Sequence, residues 1–291
     1  MSTRNLLNLV LLAIVGILVL IVVYEPGKQQ DEPVPLTTVD TKTINKIHIS
    51  RTGQKDVTLV KSPDTGKWQM LAPFKTAANR IKTESLLTLL SQHSGAQYAM
   101  ADLDVKTYGL DLPRATIIFN DELKFEFGTT EPLNKQRYLR FNDTLHVIDD
   151  HFYYQLMSPV TVFVDHQLVP VEKAVTKLEL PDLSLSLNEG TWQLTPQQDG
   201  VSNDQANELV ENWKTAFAMH ISEYKPAPAS KQAKIYFLNE EKPLVFDIMF
   251  ENDTLFLGRS DLGLKYQIAP DNKNELLKLP PKIETPNIDK P

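Results

Sequence analysis

The sequence predicts an α+β protein: an N-terminal transmembrane helix followed by two tandem, internally repeated modules, each an antiparallel sheet packed against one long helix. Three observations predict it. A charge-free apolar run fills residues 6–23. Two of the three tryptophans stand in near copies of one phrase, GKWQMLAP at 66–73 and GTWQLTP at 190–196. The segments around each phrase then follow one another in the same order of strand-like and helix-like pattern.

The apolar run contains one strongly polar residue, Asn8. As a helix rising ~1.5 Å per residue it would extend roughly 27 Å, close to the hydrocarbon thickness of a bilayer. A cleaved signal peptide is the rival reading, but Val-Val-Tyr-Glu-Pro-Gly follows the run where small residues in an A-x-A-like pattern would be expected. Arg4 precedes the run and Glu25, Lys28, Asp31 and Glu32 follow it. The positive flank stays in the cytoplasm, so in a bacterium the expectation is a single-pass inner-membrane protein with its bulk in the periplasm. The expected organisation is a cytoplasmic stub and anchor at 1–24, a Pro-rich linker at 25–42, a first module at 43–168, a second at 169–279 and a disordered tail at 280–291. Pro26, Pro33 and Pro35 stiffen the linker.

Within the first module, 44–50 and 56–61 read as strands, with Ile47 and Ile49 on one face. Trp68 and Met70 share a face of the third strand, which ends at Pro73. A helix over 79–95 carries Ile81, Leu86, Leu87, Leu89 and Leu90 and stops at Gly95. Strands at 114–120 and 122–128 and a hairpin over 137–149 complete it. The second module repeats the order. Strands at 175–181 and 183–188 and the Trp192 strand come first. A helix over 202–220 then carries a stripe of Ala206, Leu209, Val210, Trp213 and Phe217, and Ser202 and Gln205 have capping-box spacing. Strands at 233–239, 243–250 and 263–270 follow. The late strands admit two alignments between modules: FNDTL on FENDTL, or Phe127-Gly128 on Leu257-Gly258. One large ring on each third strand, lying under the next helix, accounts for the duplicated tryptophan.

The phrase WQMLAP with a leucine-rich helix after it, YGLDLPRATIIF at 108–119, FEFG at 125–128 and RYLRF at 137–141 carry a resemblance. On these residues the chain resembles a bacterial family known as domain of unknown function 4340, over roughly 44–165. In that family a Gly-Leu stands a few residues ahead of a Pro, as Gly109, Leu110 and Pro113 do here. The second half, PAPASKQAKIYF, lacks that phrase. The resemblance implies no catalytic residues. It implies a setting beside ABC-type permeases of a gliding-motility-like kind.

Composition excludes several chemistries. There is no cysteine, so disulfides, thiolate metal sites and cysteine nucleophiles are out. A net charge of −7 argues against a nucleic-acid surface. No phosphate-binding glycine loop is present. Asp149, Asp150, His151, Asp165 and His166 are of the right types for a divalent metal, but they lack the close ligand spacing of known motifs. Ser158, Asp165 and His166 offer triad types without a nucleophile elbow. The aromatic group Phe152, Tyr153, Tyr154 and Phe163 is the candidate partner surface. The functional expectation is therefore a non-enzymatic binding or scaffolding protein without cofactors, accessory to an envelope transport or motility-like complex. Two alternatives stand beside it. One is a small-ligand or glycan sensor binding in the cleft between the modules. The other is a metal-dependent hydrolase built on Asp149, His151, Asp165 and His166.

Overall fold

The computed structural model describes residues 3–24, 35–132, 134–198, 200–226 and 231–281. Residues 25–34 of the expected linker and 282–291 of the expected tail lie outside them. Helix α1 runs Thr3–Tyr24. Among the described residues no helix is long and apolar enough to cross a membrane. The transmembrane helix of the predicted fold is corrected on that finding.

The first sheet is built from β1 (Lys46–Arg51), β2 (Val57–Lys61), β3 (Trp68–Ala72), β4 (Thr76–Ala77), β5 (Ala96–Ala99), β6 (Ala115–Phe119), β7 (Leu123–Thr130), β8 (Arg137–Phe141) and β9 (Thr144–Ile148). Between β4 and β5 lies α2 (Arg80–Leu87), and after β9 comes α3 (His151–Leu156). The strand order is β4-β3-β2-β1-β6-β7-β8-β9-β5, antiparallel throughout. The second sheet holds β10 (Val175–Glu179), β11 (Ser184–Asn188), β12 (Thr191–Thr195), β13 (Ala218–Glu223), β14 (Gln232–Phe237), β15 (Leu244–Glu251), β16 (Thr254–Arg259) and β17 (Leu264–Ile268). Helix α4 (Asn203–Thr215) precedes β13, and α5 (Asn272–Leu277) follows β17. Its order is β12-β11-β10-β14-β15-β16-β17-β13. With β4 set aside, the two sheets have the same topology: three strands, a helix, a far-edge strand, then four strands returning across the sheet.

Alternation makes these strands. In β1 the side chains of Ile47, Ile49 and Arg51 are buried while their neighbours are half-exposed, the period-2 pattern of a sheet with one dry face. The Asn-Asp turns have positive φ at both Asn120 and Asp121 and at both Asn252 and Asp253, which tight two-residue hairpins require. The strand order removes both late-strand alignments. The turn at Asn142 joins β8 to β9, whereas that at Asn252 joins β15 to β16, the counterparts of β7 and β8. Gly128 lies on β7 and Gly258 on β16, which are not counterparts either.

The helices are shorter than predicted. Asn79 caps α2, accepting from the Lys82 N–H, but the α-helix ends at Leu87 and a 3-10 turn over Thr88–Ser91 replaces its continuation to 95. The tighter turn buries Leu86, Leu89 and Leu90 together. Gln92 then spends its carbonyl on the Leu36 N–H at 2.8 Å, and His93 forms a bridge with Pro35. Residues 35–36 of the expected linker are thus part of the packed body, with Leu36 buried. Helix α4 begins on the complete Ser202/Gln205 capping box and ends at Thr215, where Ala216 turns extended and leads into β13. The tryptophans occupy matching third strands in unlike burial. Trp68 is buried, whereas Trp192 is half-buried and donates its indole N–H to Asn207 Oδ1 at 3.1 Å. The edges differ too: β4 pairs with the outer side of β3, whereas at β12 the Trp192 N–H is taken by the Asn203 side chain at 2.8 Å.

Residues 163–168 join the sheets through hydrogen bonds on both sides. The Phe163 carbonyl accepts from Asn79 N–H at 2.8 Å, and Asp165 N–H donates to Ala77 O at 2.9 Å. Immediately afterwards His166 O accepts from Ala218 N–H at 2.9 Å, and Leu168 N–H donates to Ala216 O at 3.1 Å. The connector satisfies its own backbone by bonding the edge of each sheet in turn, which fixes how the sheets face one another.

Candidate functional site

The acids and imidazoles singled out in the sequence do not converge. Asp149 accepts from the His151 backbone N–H and lies 2.8 Å from His151 Nδ1, and these bonds hold its carboxyl below the usual carboxylate range. Asp150 takes two hydrogen bonds from Arg137, at 2.6 and 3.2 Å. Asp165 accepts from the Gln167 N–H, and His166 Nδ1 sits 2.7 Å from the Ala218 carbonyl. Each group serves a turn, an ion pair or the connector. Among the described residues no three His, Asp or Glu side chains are grouped to hold a metal. The aromatic group divides as well. Phe152 is 2% exposed and Phe163 1%, so both are core. Tyr153 lies under Arg137, 3.7 Å from ring centroid to guanidinium, and only Tyr154, 65% exposed, faces solvent. A four-ring partner surface is corrected accordingly: α3 is amphipathic, and its apolar side is held in the core by Phe152 and Leu156.

His146 of β9 is the one histidine in the core of the described residues. It is buried, its Nδ1 has no hydrogen-bond partner, and burial lowers its pKa below the ordinary value. The unfolded chain then takes up a proton near pH ~6.5 that the folded chain refuses. Stability from this group is complete above pH ~6.5, falls as pH drops through that value, and levels off below the folded pKa, with a slope of at most ~1.4 kcal/mol per pH unit. Urea midpoints measured from pH 7.5 to 5.5 should fall more steeply in the wild type than in His146→Leu. Parallel profiles would assign the acid sensitivity to other groups.

What the fold does assemble is a cleft of about 370 Å³ at the junction of the sheets, within the size range of small-molecule sites. One wall comes from Lys67, Thr76 and Ala77 around β3 and β4. The floor is the connector from Asp165 to Lys173, and the far wall is the second sheet with Phe237, Lys242, Arg259 and Tyr266. The connector stands there because it is bonded to both edges. Its cations are mostly paired. Lys67 Nζ is 2.8 Å from Glu172, Lys173 Nζ is 2.6 Å from Glu240, and Arg259 makes two bonds to Asp261 at 2.7 and 2.8 Å. Lys242 is exposed and has no ion-pair partner among the described residues.

Tyr266 is the unusual member. It is 3% exposed and its ring meets Phe246 edge-on, with centroids 6.2 Å apart. Its hydroxyl has no hydrogen-bond partner among the described residues, though it borders the cleft. Burial pushes its pKa up to about 12; Arg259 opposes that rise, and Asp261 and Asp165 add to it. At neutral pH the phenol therefore keeps its proton, and it presents a donor to the cleft. Nothing in GLKYQIAP marks this tyrosine in sequence, because a buried strand residue and a cleft residue share the same alternation.

The structure also explains the phrase on which the family resemblance turns. Gly109 has φ +65°, and the loop it bends lays the Tyr108 carbonyl against β7, accepting from Thr129 N–H at 2.8 Å and from its Oγ1 at 3.1 Å. A Cβ on Gly128 would stand 2.1 Å from that carbonyl. The Gly-Leu phrase and the glycine of FEFG are two halves of one backbone contact, sealed by buried Leu110. The family described as a domain of unknown function (DUF4340) matches residues 68–234. The chain belongs to this family. The DUF4340 match begins at Trp68 and runs through the connector into β14, farther into the second half than the resemblance read from sequence. It covers the first wall and floor of the cleft from Thr76 to Lys173, and it stops short of Phe237, Arg259 and Tyr266. No curated relative and no solved structure matches the chain.

Proposed function

We propose that this member of the DUF4340 family is a non-catalytic binding protein whose recognition site is the cleft between its two sheets. The observation that carries the reading is the Tyr266 hydroxyl, which borders the cleft on an otherwise buried ring and has no hydrogen-bond partner among the described residues. A donor held in place by a buried ring is already oriented for a ligand that accepts its hydrogen bond. The doubly bonded connector supports the same reading, because a cleft held from both sides is preformed and loses little ordering entropy on binding.

A thermal-shift screen of the full chain against saccharides, carboxylates, phosphates and lipids tests it. At least one class should raise the melting temperature, and Val171→Trp, placed at an exposed residue of the cleft lining, should abolish the rise. A rise that Val171→Trp leaves intact locates binding elsewhere, and no rise with any class removes the reading.

A second reading, a scaffold accessory to an envelope transport or motility-like complex, is favoured by one observation. Phe217 and Met219 are exposed two residues apart at the start of β13, and neighbouring exposed apolar side chains suit a protein partner. Co-purification at native expression that is lost in Phe217→Ser/Met219→Ser, with the fold intact, is its expected signature.

A further inference from the structure

We infer that the ligand of the junction cleft is a neutral, hydroxyl-rich molecule of sugar or polyol type. The inference rests on the reading of the cleft as the binding site and adds the chemical class.

The charges argue it first. Lys67, Lys173 and Arg259 each already face a carboxylate at 2.8 Å or less. A small anion would have to compete with those carboxylates for each cation, leaving Lys242 alone to attract it. A small cation meets the same pairs from the other side. The pairs instead present donors and acceptors side by side, which suits a group that does both. A hydroxyl is such a group, giving one proton and accepting at two lone pairs. Asp165 supplies an acceptor on the floor and the Tyr266 phenol a donor on the far wall.

The apolar part of the lining agrees. Leu168, Pro170, Val171, Phe237 and Leu244 share the cleft with these polar groups. A sugar ring carries a C–H face as well as hydroxyls, so one molecule can meet both kinds of wall, whereas inorganic phosphate or citrate has no apolar face to place there. The volume of about 370 Å³ admits one or two rings.

Calorimetric titration of the full chain with maltose, cellobiose and N,N′-diacetylchitobiose, run beside inorganic phosphate and citrate, decides it. At least one disaccharide should bind and the two anions should not. Tyr266→Phe keeps the ring and removes the donor, so it should weaken that disaccharide about tenfold, the effect of one lost hydrogen bond, with the melting temperature unchanged or raised. Phosphate or citrate binding that Lys242→Ala removes, with no disaccharide bound, overturns the inference and leaves the cleft as a binding site. So does a library compound lost in Val171→Trp when none of the five probes binds. Disaccharide binding that neither Tyr266→Phe nor Val171→Trp alters overturns the inference and the cleft together.

Discussion

Replacing Gly128 with alanine is expected to destabilise the protein by ~3 kcal/mol or more, the upper end of what overpacking costs, because the added methyl falls on backbone. Its position would lie 2.1 Å from the Tyr108 carbonyl and 3.2 Å from two carbons of Leu110. The carbonyl cannot swing aside like a flexible side chain, since Thr129 holds it by two hydrogen bonds and Gly109 bends the loop at a positive φ. The loop must lift off β7 and expose Leu110, which is now buried. Gly258→Ala is the informative comparison. There the nearest atoms belong to the Tyr224 ring and the Met249 side chain, both of which can move, so a smaller loss is expected. Urea denaturation of the two variants beside the wild type measures both. A Gly128→Ala midpoint within error of the wild type would mean that the loop does not pack as described.

The second large effect is expected at Arg137. Its side chain is almost wholly buried, donates to both oxygens of Asp150 and gives a third bond, 2.7 Å, to the Gly128 carbonyl. The β7–β8 ladder shifts register between Phe127 and Thr130, and the guanidinium takes the carbonyl at that irregularity. Arg137→Ala removes all of this at once and leaves a nearly buried carboxylate unpaired, at an expected cost of ~3–5 kcal/mol. Adding Asp150→Ala should recover part of the loss, because the stranded charge goes with it, and a double-mutant cycle reads the coupling directly. Strict additivity of the two single losses would show that the pair contributes nothing beyond the volume of its side chains. Gly128→Ala and Arg137→Ala should also fail to add, since they disturb the two ends of one contact.

Parts of this arrangement were legible in the residues alone. The alternation of Ile47 and Ile49, the Asn-Asp turns and the Ser202–Gln205 cap are local: each depends on dihedral preferences or a period within a few residues, and each is where the pattern put it. The length of α2 was not legible. Its leucines fit a helix to residue 95, and the backbone of residue 36, more than fifty positions earlier, takes the carbonyl of Gln92 instead. The aromatic group misled for a related reason. Phe152, Tyr153, Tyr154 and Phe163 are neighbours in sequence, but a helical turn and the connector send two inward and leave one in solvent. The expected membrane-spanning helix came from composition over residues 6–23, and no helix among the described residues meets the length and apolarity that crossing demands.

By itself the sequence determined the strand periods, the turns, the cap and the repetition of one tryptophan phrase, because these follow from interactions between near neighbours along the chain. The tertiary structure alone decided that Trp68 is buried and Trp192 half-open, that Asp149, Asp165 and their histidines never meet, and that Lys67, Asp165 and Tyr266 line one cleft. Those three residues span nearly two hundred positions. They come together because the connector must satisfy its backbone against the edges of both sheets, and a requirement shared by distant segments leaves no mark on any one of them.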